Sequence, residues 1–290
     1  MNSLYLNITD YCNMRCVYCY GNHGNYYRTD SLKNMNYAIA SKSIDVALKL
    51  YNDLRVVFFG GEPLINYPLI EQIVKTYKGR VRFCIITNGV LLDERRIRFL
   101  GENDFAITVS FEGSFRAQKY RKGINDEDTY EKVISNLRKL DLMDYKYSIR
   151  MTLFRNNAVL SERLKSLENL KNIREIRVQF CSPTGSVCDL EDKDIIEYEK
   201  DLNKAMKMDL YNKCVQSSYG QVSTTVCTMG ITGFAVDTDG YVYPCYRFIG
   251  KNEFCMGHIN DFSKDKLWEI AVLNKVEGKE MQYCFADEYI

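Results

Sequence analysis

The chain has 290 residues, of which 46% are hydrophobic and 27% are charged, and its formal net charge is +1. This length suggests one large domain, or a domain with an appendage, of ordinary globular composition. The balanced charge excludes the strongly basic surface by which proteins bind nucleic acids or anionic membranes. The chain opens without a signal peptide and no window approaches roughly 18 apolar residues, so we expect a cytoplasmic protein.

Strand-like segments alternate with helical ones up to about residue 180. The strand-like segments are rich in β-branched and aromatic residues, and they lie at 3–9, 54–60, 81–87, 105–111, 147–153 and 173–180. Residues 36–51 and 129–140 space their apolar side chains as one face of a helix does, with Thr129 placed as an N-cap. Six such units in succession predict an α/β fold with a parallel sheet, either curved like a barrel or open and doubly wound.

The pattern changes after residue 181. Residues 192–211 have the spacing of a helix with a charged outer face. Residues 227–248 resemble a β-hairpin that turns at Asp239-Gly240, a dipeptide favoured in two-residue hairpin loops. We therefore predict one domain over 1–214 and a small module over 215–290.

Three cysteines crowd the loop after the first predicted strand. Cys12, Cys16 and Cys19 have the spacing C-x3-C-x2-C. In a reducing compartment such cysteines are more often metal ligands, catalytic groups or core residues than disulfides. They are compatible with a zinc site completed by His23, with a non-catalytic stapled loop, or with an iron–sulfur cubane that leaves one iron open to a small molecule.

The segment CNMRCVYC resembles the cluster motif of radical S-adenosylmethionine (SAM) enzymes, in which an aromatic residue, here Tyr18, precedes the last cysteine. Further segments resemble elements of that family in the family's own order. They are FFGGEPL at 58–64, ITNGVLL at 86–92, VSFEGS at 109–114 and IRMTL at 149–153. In VSFEGS, Glu112 stands where the family usually has aspartate.

This resemblance implies a partial (β/α)6 barrel in which Cys12, Cys16 and Cys19 bind a [4Fe-4S] cluster and SAM binds the open iron. The residues that it assigns to SAM are Tyr18, near the adenine, and Gly60, Gly61, Glu62, Asn88, Ser110 and Arg150. It also implies a one-electron reductant such as a flavodoxin or ferredoxin. The expected chemistry is reductive cleavage of SAM to a 5′-deoxyadenosyl radical, which abstracts hydrogen from a substrate.

The C-terminal cysteines resemble part of the extension that binds auxiliary iron–sulfur clusters in this family. Cys227 and Cys245 fit its C-x12-G-x4-C pattern, but the C-x2-C-x5-C-x3-C pattern of a full SPASM extension does not follow. We therefore expect the short Twitch form, a hairpin plus helix with one auxiliary cluster. Its expected ligands are Cys227, Cys245 and Cys284, with Cys255 or an open position as the fourth. Cys255 and Cys284 could instead be structural thiols.

The segment around Cys245 resembles peptide-modifying members of the family, which predicts a peptide substrate in a ribosomal peptide pathway. The expected product is a thioether or carbon–carbon crosslink, or an inverted Cα, for which Cys181 could donate a hydrogen atom. Because the cluster motif begins at residue 12, we expect either a separate leader-recognition protein or direct binding of the leader.

Two other substrate classes compete with a peptide. One is a small molecule such as an aminocyclitol or sugar, on which the enzyme would act as a dehydrogenase or epimerase. The other is a sulfatase, which is disfavoured because Tyr246 follows Cys245 where sulfatase-maturating enzymes commonly have aspartate.

Overall fold

The computed structural model describes residues 2–26, 31–157, 159–181, 189–217 and 232–263. Those ranges contain strands β1 (Asn2–Asn7), β2 (Met14–Cys16), β3 (Leu54–Phe59), β4 (Arg82–Thr87), β5 (Ala106–Ser110), β6 (Arg121–Gly123), β7 (Tyr147–Leu153), β8 (Ile173–Phe180), β9 (Val215–Ser217), β10 (Gly233–Val236) and β11 (Val242–Tyr243). They also contain helices α1 (Tyr37–Leu50), α2 (Tyr67–Tyr77), α3 (Glu94–Glu102), α4 (Phe115–Gln118), α5 (Tyr130–Leu142), α6 (Leu160–Lys165), α7 (Asp192–Ala205) and α8 (Asp209–Cys214).

Nine of these strands form one sheet, in the order β11-β10-β1-β3-β4-β5-β7-β8-β9. Every neighbouring pair is parallel except β10 and β11. Strands β2 and β6 form a separate antiparallel ribbon. Because the carboxyl ends of parallel strands meet at one edge of a sheet, the loops after β1, β3, β4, β5 and β7 lie together there. The predicted α/β fold with an unclosed, barrel-like parallel sheet is confirmed.

Strand β7 separates the core from the site. Its residues alternate between buried and partly exposed positions, so Ile149 and Met151 point into the core while Arg150 and Thr152 lie on the other face. The helices cover the buried face, and each fully buried aliphatic side chain there contributes about 2 kcal/mol. Packing on one face therefore fixes which β7 side chains line the opposite one.

The segment 192–211 differs from its prediction, because it forms two helices. Helix α7 ends at Ala205, and α8 begins at Asp209. After this break, Met208, Leu210 and Tyr211 pack against the hydrophobic core. The break between the two helices lets these half-buried apolar side chains contact the core.

Thr129 also differs in detail from its prediction as an N-cap. It precedes α5 but makes no side-chain cap hydrogen bond. Its hydroxyl donates instead to the carbonyl oxygen of Arg121, at 2.7 Å. The residue therefore fastens the ribbon to the start of α5.

The residues that follow position 215 continue the main sheet on both sides. Strand β9 pairs with β8, and β10 pairs with β1. The described part of the predicted hairpin is present, since Val236 and Val242 are register partners across a turn that contains Asp239 and Gly240. The domain boundary at 215 stays a prediction.

None of the helices in the described ranges has both the length and the hydropathy needed to cross a bilayer.

Candidate active site

One cavity opens at the carboxyl edge of the sheet and encloses about 1050 Å³, including the space at its mouth. Its wall is formed by the loops after β1, β3 and β4. Residues at the end of β5, on β6, β7 and β8, and the two residues after Cys245 complete it. The lining residues that were predicted from sequence are Cys12, Cys16, Tyr18, Cys19, Gly60, Gly61, Asn88, Ser110 and Arg150.

The cysteine loop, residues 11–20, presents all three predicted cluster ligands to this cavity. A hydrogen bond from the Cys19 backbone N–H to the Cys16 carbonyl oxygen, at 3.2 Å, turns the loop, and the His23 backbone N–H donates to Cys19 Sγ at 3.1 Å. Among the described residues, no three His, Cys, Asp or Glu side chains lie close enough to hold a single metal ion. A cubane spreads its thiolate ligands over different irons, so its ligands lie farther apart than those of one ion.

Burial raises the pKa of Cys12 to about 12 and that of Cys16 to about 11. The loss of water is the largest cause for both thiols. Glu62 adds to the shift at Cys12, while Arg121 opposes it at Cys16. Both thiols are therefore protonated at neutral pH in the metal-free protein, and iron must displace these protons when it binds.

Gly60 and Gly61 allow the loop after β3 to touch the cysteine loop. A Cβ on Gly61 would lie 2.2 Å from the Tyr11 carbonyl oxygen, and a Cβ on Gly60 would lie 2.4 Å from the Thr9 carbonyl oxygen. Across this contact the Gly61 N–H donates to the Thr9 carbonyl at 2.9 Å, and the Glu62 N–H donates to the Tyr11 carbonyl at 2.8 Å. The backbone of one loop therefore sets the position of the other.

Glu62 lies behind the cavity wall and is fully buried. Its Oε1 accepts hydrogen bonds from the Leu64 N–H at 3.1 Å and the Thr87 hydroxyl at 2.7 Å. Its Oε2 accepts from the Asn88 N–H at 2.7 Å. The carboxylate thus connects the loop after β3 to the loop after β4, and its predicted contact with SAM stays a prediction.

Replacing Glu62 with glutamine is expected to change how the free energy of unfolding depends on pH. Burial raises the pKa of Glu62 from 4.5 to about 7, against the opposing effect of its hydrogen bonds. Between about pH 4.5 and about pH 7 the unfolded chain has lost this proton while the folded protein still holds it. The stabilisation that results is fully present below about pH 4.5 and is lost as pH rises to about 7. A shift of this size corresponds to about 3 kcal/mol.

Urea unfolding of the metal-free protein at about pH 5 and about pH 8 measures this effect. The difference in unfolding free energy between wild type and E62Q should move in favour of E62Q at the higher pH. The exposed Glu102 provides the control, since E102Q removes an exposed carboxyl and leaves the buried Glu62 in place. If the difference in unfolding free energy between wild type and E62Q is the same at both pH values, the raised pKa of Glu62 is contradicted.

Asn88, Ser110 and Arg150 line the cavity from three neighbouring loops or strands. The Asn88 side-chain amide donates to Asn13 Oδ1 at 2.8 Å, which ties the loop after β4 to the cysteine loop. Ser110 and Arg150 are register partners on β5 and β7, so their side chains lie beside each other. The Arg150 guanidinium is half-buried and interacts with the Tyr246 hydroxyl.

Sequence analysis missed a buried polar network behind Tyr18. The Tyr18 hydroxyl donates to Glu112 Oε1 at 2.5 Å, and the Arg121 guanidinium donates to the Tyr18 oxygen at 3.0 Å. The Arg163 guanidinium and the Thr152 N–H both donate to Glu112 Oε2, each at 2.9 Å. Glu112 in VSFEGS departs visibly from the aspartate that is usual in the family, but neither Arg121 nor Arg163 lies in a recognisable motif.

The C-terminal cysteines are described only in part. Cys245 is buried, and its Sγ accepts a hydrogen bond from the Arg247 N–H at 3.5 Å. Cys255 packs against the same apolar cluster as Cys245, around Phe59 and Phe248. The predicted ligands Cys227 and Cys284 lie outside the described residues. Sequence analysis did not anticipate that Tyr246 and Arg247 line the cavity beside Arg150.

Cys181 is buried behind the cavity rather than on its wall. It is 3% exposed and packs with Tyr18 and Phe154. Gln179 and Phe180, which precede it in the chain, do line the cavity. Its predicted role as a hydrogen donor stays a prediction.

Residues 6–158 match the family model described as the radical SAM superfamily, which is more than half of the chain. The chain belongs to the radical SAM superfamily. Residues 227–286 match a second model, SPASM, described as an iron–sulfur cluster-binding domain. A [4Fe-4S] cluster and SAM are the cofactors of this radical SAM protein, and the SPASM match adds auxiliary iron–sulfur binding, as predicted.

Relatives and solved structures agree with this assignment. An uncharacterised protein of Methanocaldococcus jannaschii is 27% identical over 100% of this chain and 96% of its own. A cysteine-type anaerobic sulfatase-maturating enzyme of Clostridium novyi is 25% identical over 90% of this chain and 77% of its own. The solved structure of native anSMEcpe with bound AdoMet superposes with a TM-score of 0.76, covering 92% of this chain and 80% of that one at 21% identity.

The cavity fits the cofactors of the superfamily. Three thiols face it, and the glycines let the backbone approach a ligand closely. Two buried polar atoms of its lining residues, Arg121 Nε and Gln179 Oε1, have no hydrogen-bond partner among the described residues. Buried polar groups are rarely left unpaired, so these atoms indicate a polar ligand.

Proposed function

We propose that this radical SAM enzyme is a maturase that abstracts hydrogen from a peptide substrate. The observation that carries the proposal is that Tyr246 and Arg247, from the C-terminal extension, line the same open cavity as the three cysteines. An opening of this kind admits one side chain of an extended peptide, with the rest of the peptide outside. The substrate side of the site would then be built by the extension rather than by the sheet.

Relatives support a peptide substrate. The maturase of Clostridium novyi acts on sulfatase by its name, and a relative from Paramaledivibacter caminithermalis, 28% identical over 43% of this chain and 30% of its own, is named radical SAM cyclopropyl synthase TigE. The structure of Streptococcus suis SuiB bound to precursor peptide SuiA superposes with a TM-score of 0.69, covering 99% of this chain and 70% of that one at 14% identity.

In this proposal Cys12, Cys16 and Cys19 bind the catalytic cluster. The bound cofactors supply reductive cleavage of SAM and, from it, the radical that removes hydrogen from the substrate. The residues of the chain hold and orient SAM. The backbone at Gly60 and Gly61 receives its amino group.

The remaining contacts with SAM come from the other strands. Ser110 and Arg150 hold the SAM carboxylate, because they lie side by side as register partners, Ser110 at the end of β5 and Arg150 in the middle of β7. Tyr18 lies near the adenine. Glu62 and Asn88 keep the two loops that carry these contacts in register.

The auxiliary cluster is proposed on Cys227, Cys245 and Cys284, with Cys255 as the fourth ligand. A ligand at Cys245 would place the auxiliary cluster one residue from Tyr246, which lines the cavity. The proposed partners are a flavodoxin or ferredoxin that supplies single electrons and a separate protein that recognises the leader peptide. The proposed products are a thioether or carbon–carbon crosslink, or an inverted Cα with Cys181 as hydrogen donor.

A small-molecule substrate is the second candidate. The structure of BtrN in complex with AdoMet and 2-DOIA has nearly the length of this chain, covering 99% of this chain and 92% of that one, with a TM-score of 0.53 at 16% identity. The polar lining residues Thr152 and Gln179 would suit a polyol or amino sugar. In that case the mouth of the cavity would close over the substrate.

Anaerobic turnover separates the two candidates. The reconstituted enzyme, SAM and a reductant are incubated with short peptides encoded beside its gene, or with aminocyclitols and sugars. We expect 5′-deoxyadenosine to rise with a peptide and the peptide to lose mass or change stereochemistry. If only a small molecule supports turnover, the peptide proposal is wrong. Deuterium incorporation from heavy water would identify inversion with a hydrogen donor such as Cys181.

A further inference from the structure

Arg121 lies directly across the β2–β6 ribbon from Cys16. The two residues are register partners in an antiparallel pair, so their side chains lie on the same face of the ribbon. Both line the cavity. A permanent positive charge is therefore built next to one of the three proposed cluster ligands.

A set of hydrogen bonds fixes the direction of this guanidinium. One terminal nitrogen of Arg121 donates to the Tyr18 hydroxyl at 3.0 Å and lies 3.5 Å from Glu112 Oε1. The backbone is held as well, because the Arg121 carbonyl accepts from Thr129, which in turn accepts from the Gln118 amide at 2.9 Å. The side chain is thus anchored at both ends, and little freedom remains at Nε.

The Nε–H of Arg121 is buried and has no partner within the described part of the chain. Leaving a charged donor unpaired costs more than leaving a neutral one, and the cost is avoided when a ligand accepts the bond. Cys16, its register partner across the ribbon, lines the same cavity as Arg121. The unpaired donor and the cysteine face one space.

We propose that Arg121 donates a hydrogen bond from Nε to the edge of the catalytic cluster at Cys16, to the cysteine sulfur or an adjoining sulfide. Reduction adds negative charge to the cluster, so a nearby cation and an N–H···S hydrogen bond stabilise the reduced form and raise its potential. Arg121 then keeps the reduction potential of the cluster high enough for a one-electron donor to reduce it. The inference depends on cluster ligation by Cys16, as proposed above, but not on the substrate.

Redox titration followed by electron paramagnetic resonance tests this inference in the reconstituted holoenzyme without SAM. The catalytic cluster is the signal that disappears when the three cysteines of the loop are replaced by alanine. We expect its midpoint potential to fall in R121K and to fall further in R121Q, because lysine keeps the charge but lacks the fork of donors. R163K is the matched control, since Arg163 binds the other oxygen of Glu112 and does not line the cavity.

An unchanged potential in R121Q with full cluster content would overturn the inference. If both Arg121 variants lose the cluster, their potentials cannot be compared, and a measurement on the wild-type enzyme tests the inference instead. Labelled with ¹⁵N-arginine, its reduced catalytic cluster should show nitrogen hyperfine coupling in pulsed resonance, and the absence of that coupling would be equally decisive against the proposal. A triple cysteine variant that keeps every cluster signal of the wild type would instead refute ligation by Cys16, which separates failure of the inference from failure of the proposed function.

Discussion

Replacing Cys12, Cys16 and Cys19 with alanine is expected to remove about four of about eight irons per chain and to abolish SAM cleavage. The three thiols line one cavity, and no other cysteine does so among the described residues. Without them the open iron that binds SAM is lost, whereas an auxiliary cluster on the C-terminal cysteines would remain. Iron and sulfide analysis after anaerobic reconstitution, together with a 5′-deoxyadenosine assay, measures both effects.

Cys214 provides a matched control for this experiment. It is a half-buried thiol on α8 that donates to the Ile173 carbonyl at 3.4 Å, remote from the cavity lining. C214A should keep the full iron content. A fall from about four irons to none in the triple variant would mean that the C-terminal cysteines hold no cluster.

Replacing Gly61 with alanine is expected to lower SAM cleavage by about a hundredfold, because a displacement of the order of 1 Å at a reacting centre has that effect. Its Cβ would lie 2.2 Å from the Tyr11 carbonyl oxygen, next to Cys12, so the two loops must separate. The fold should survive, since overpacking typically costs about 1–3 kcal/mol. Iron content, SAM affinity and the rate of 5′-deoxyadenosine formation report the displacement.

The control for G61A is a glycine at which an added Cβ would contact no neighbouring atom. Gly79 has a φ of +82° and nothing within 4 Å of the position that a Cβ would occupy, so G79A adds backbone strain without a clash. G79A should lose some stability and keep wild-type SAM cleavage. Equal losses of activity in both variants would show that the close approach at Gly61 is not what positions the site.

The sequence was sufficient for the parts of the site that depend on strand order. Ser110 and Arg150 lie together because β5 and β7 are neighbouring parallel strands, and the order of strands and loops in the sequence already implies that. It was insufficient where contacts depend on packing between distant segments. Arg121 and Arg163 bind Glu112 from positions 9 and 51 residues away along the chain, and no periodicity relates them. Tyr246 and Arg247 reach the cavity only because β10 lies beside β1.

The pairing of β1 has a consequence for how the chain must fold during synthesis. Ser3 pairs with Arg55 on one side and with Gly233 on the other, so β1 keeps one open edge until Gly233 has emerged from the ribosome. An unpaired edge in the middle of a sheet is a template for wrong partners, and contacts this distant in sequence form slowly. The pairing of β10 with β1, which brings Tyr246 to the cavity, therefore means that the sheet is completed only after the C-terminal segment has been synthesised.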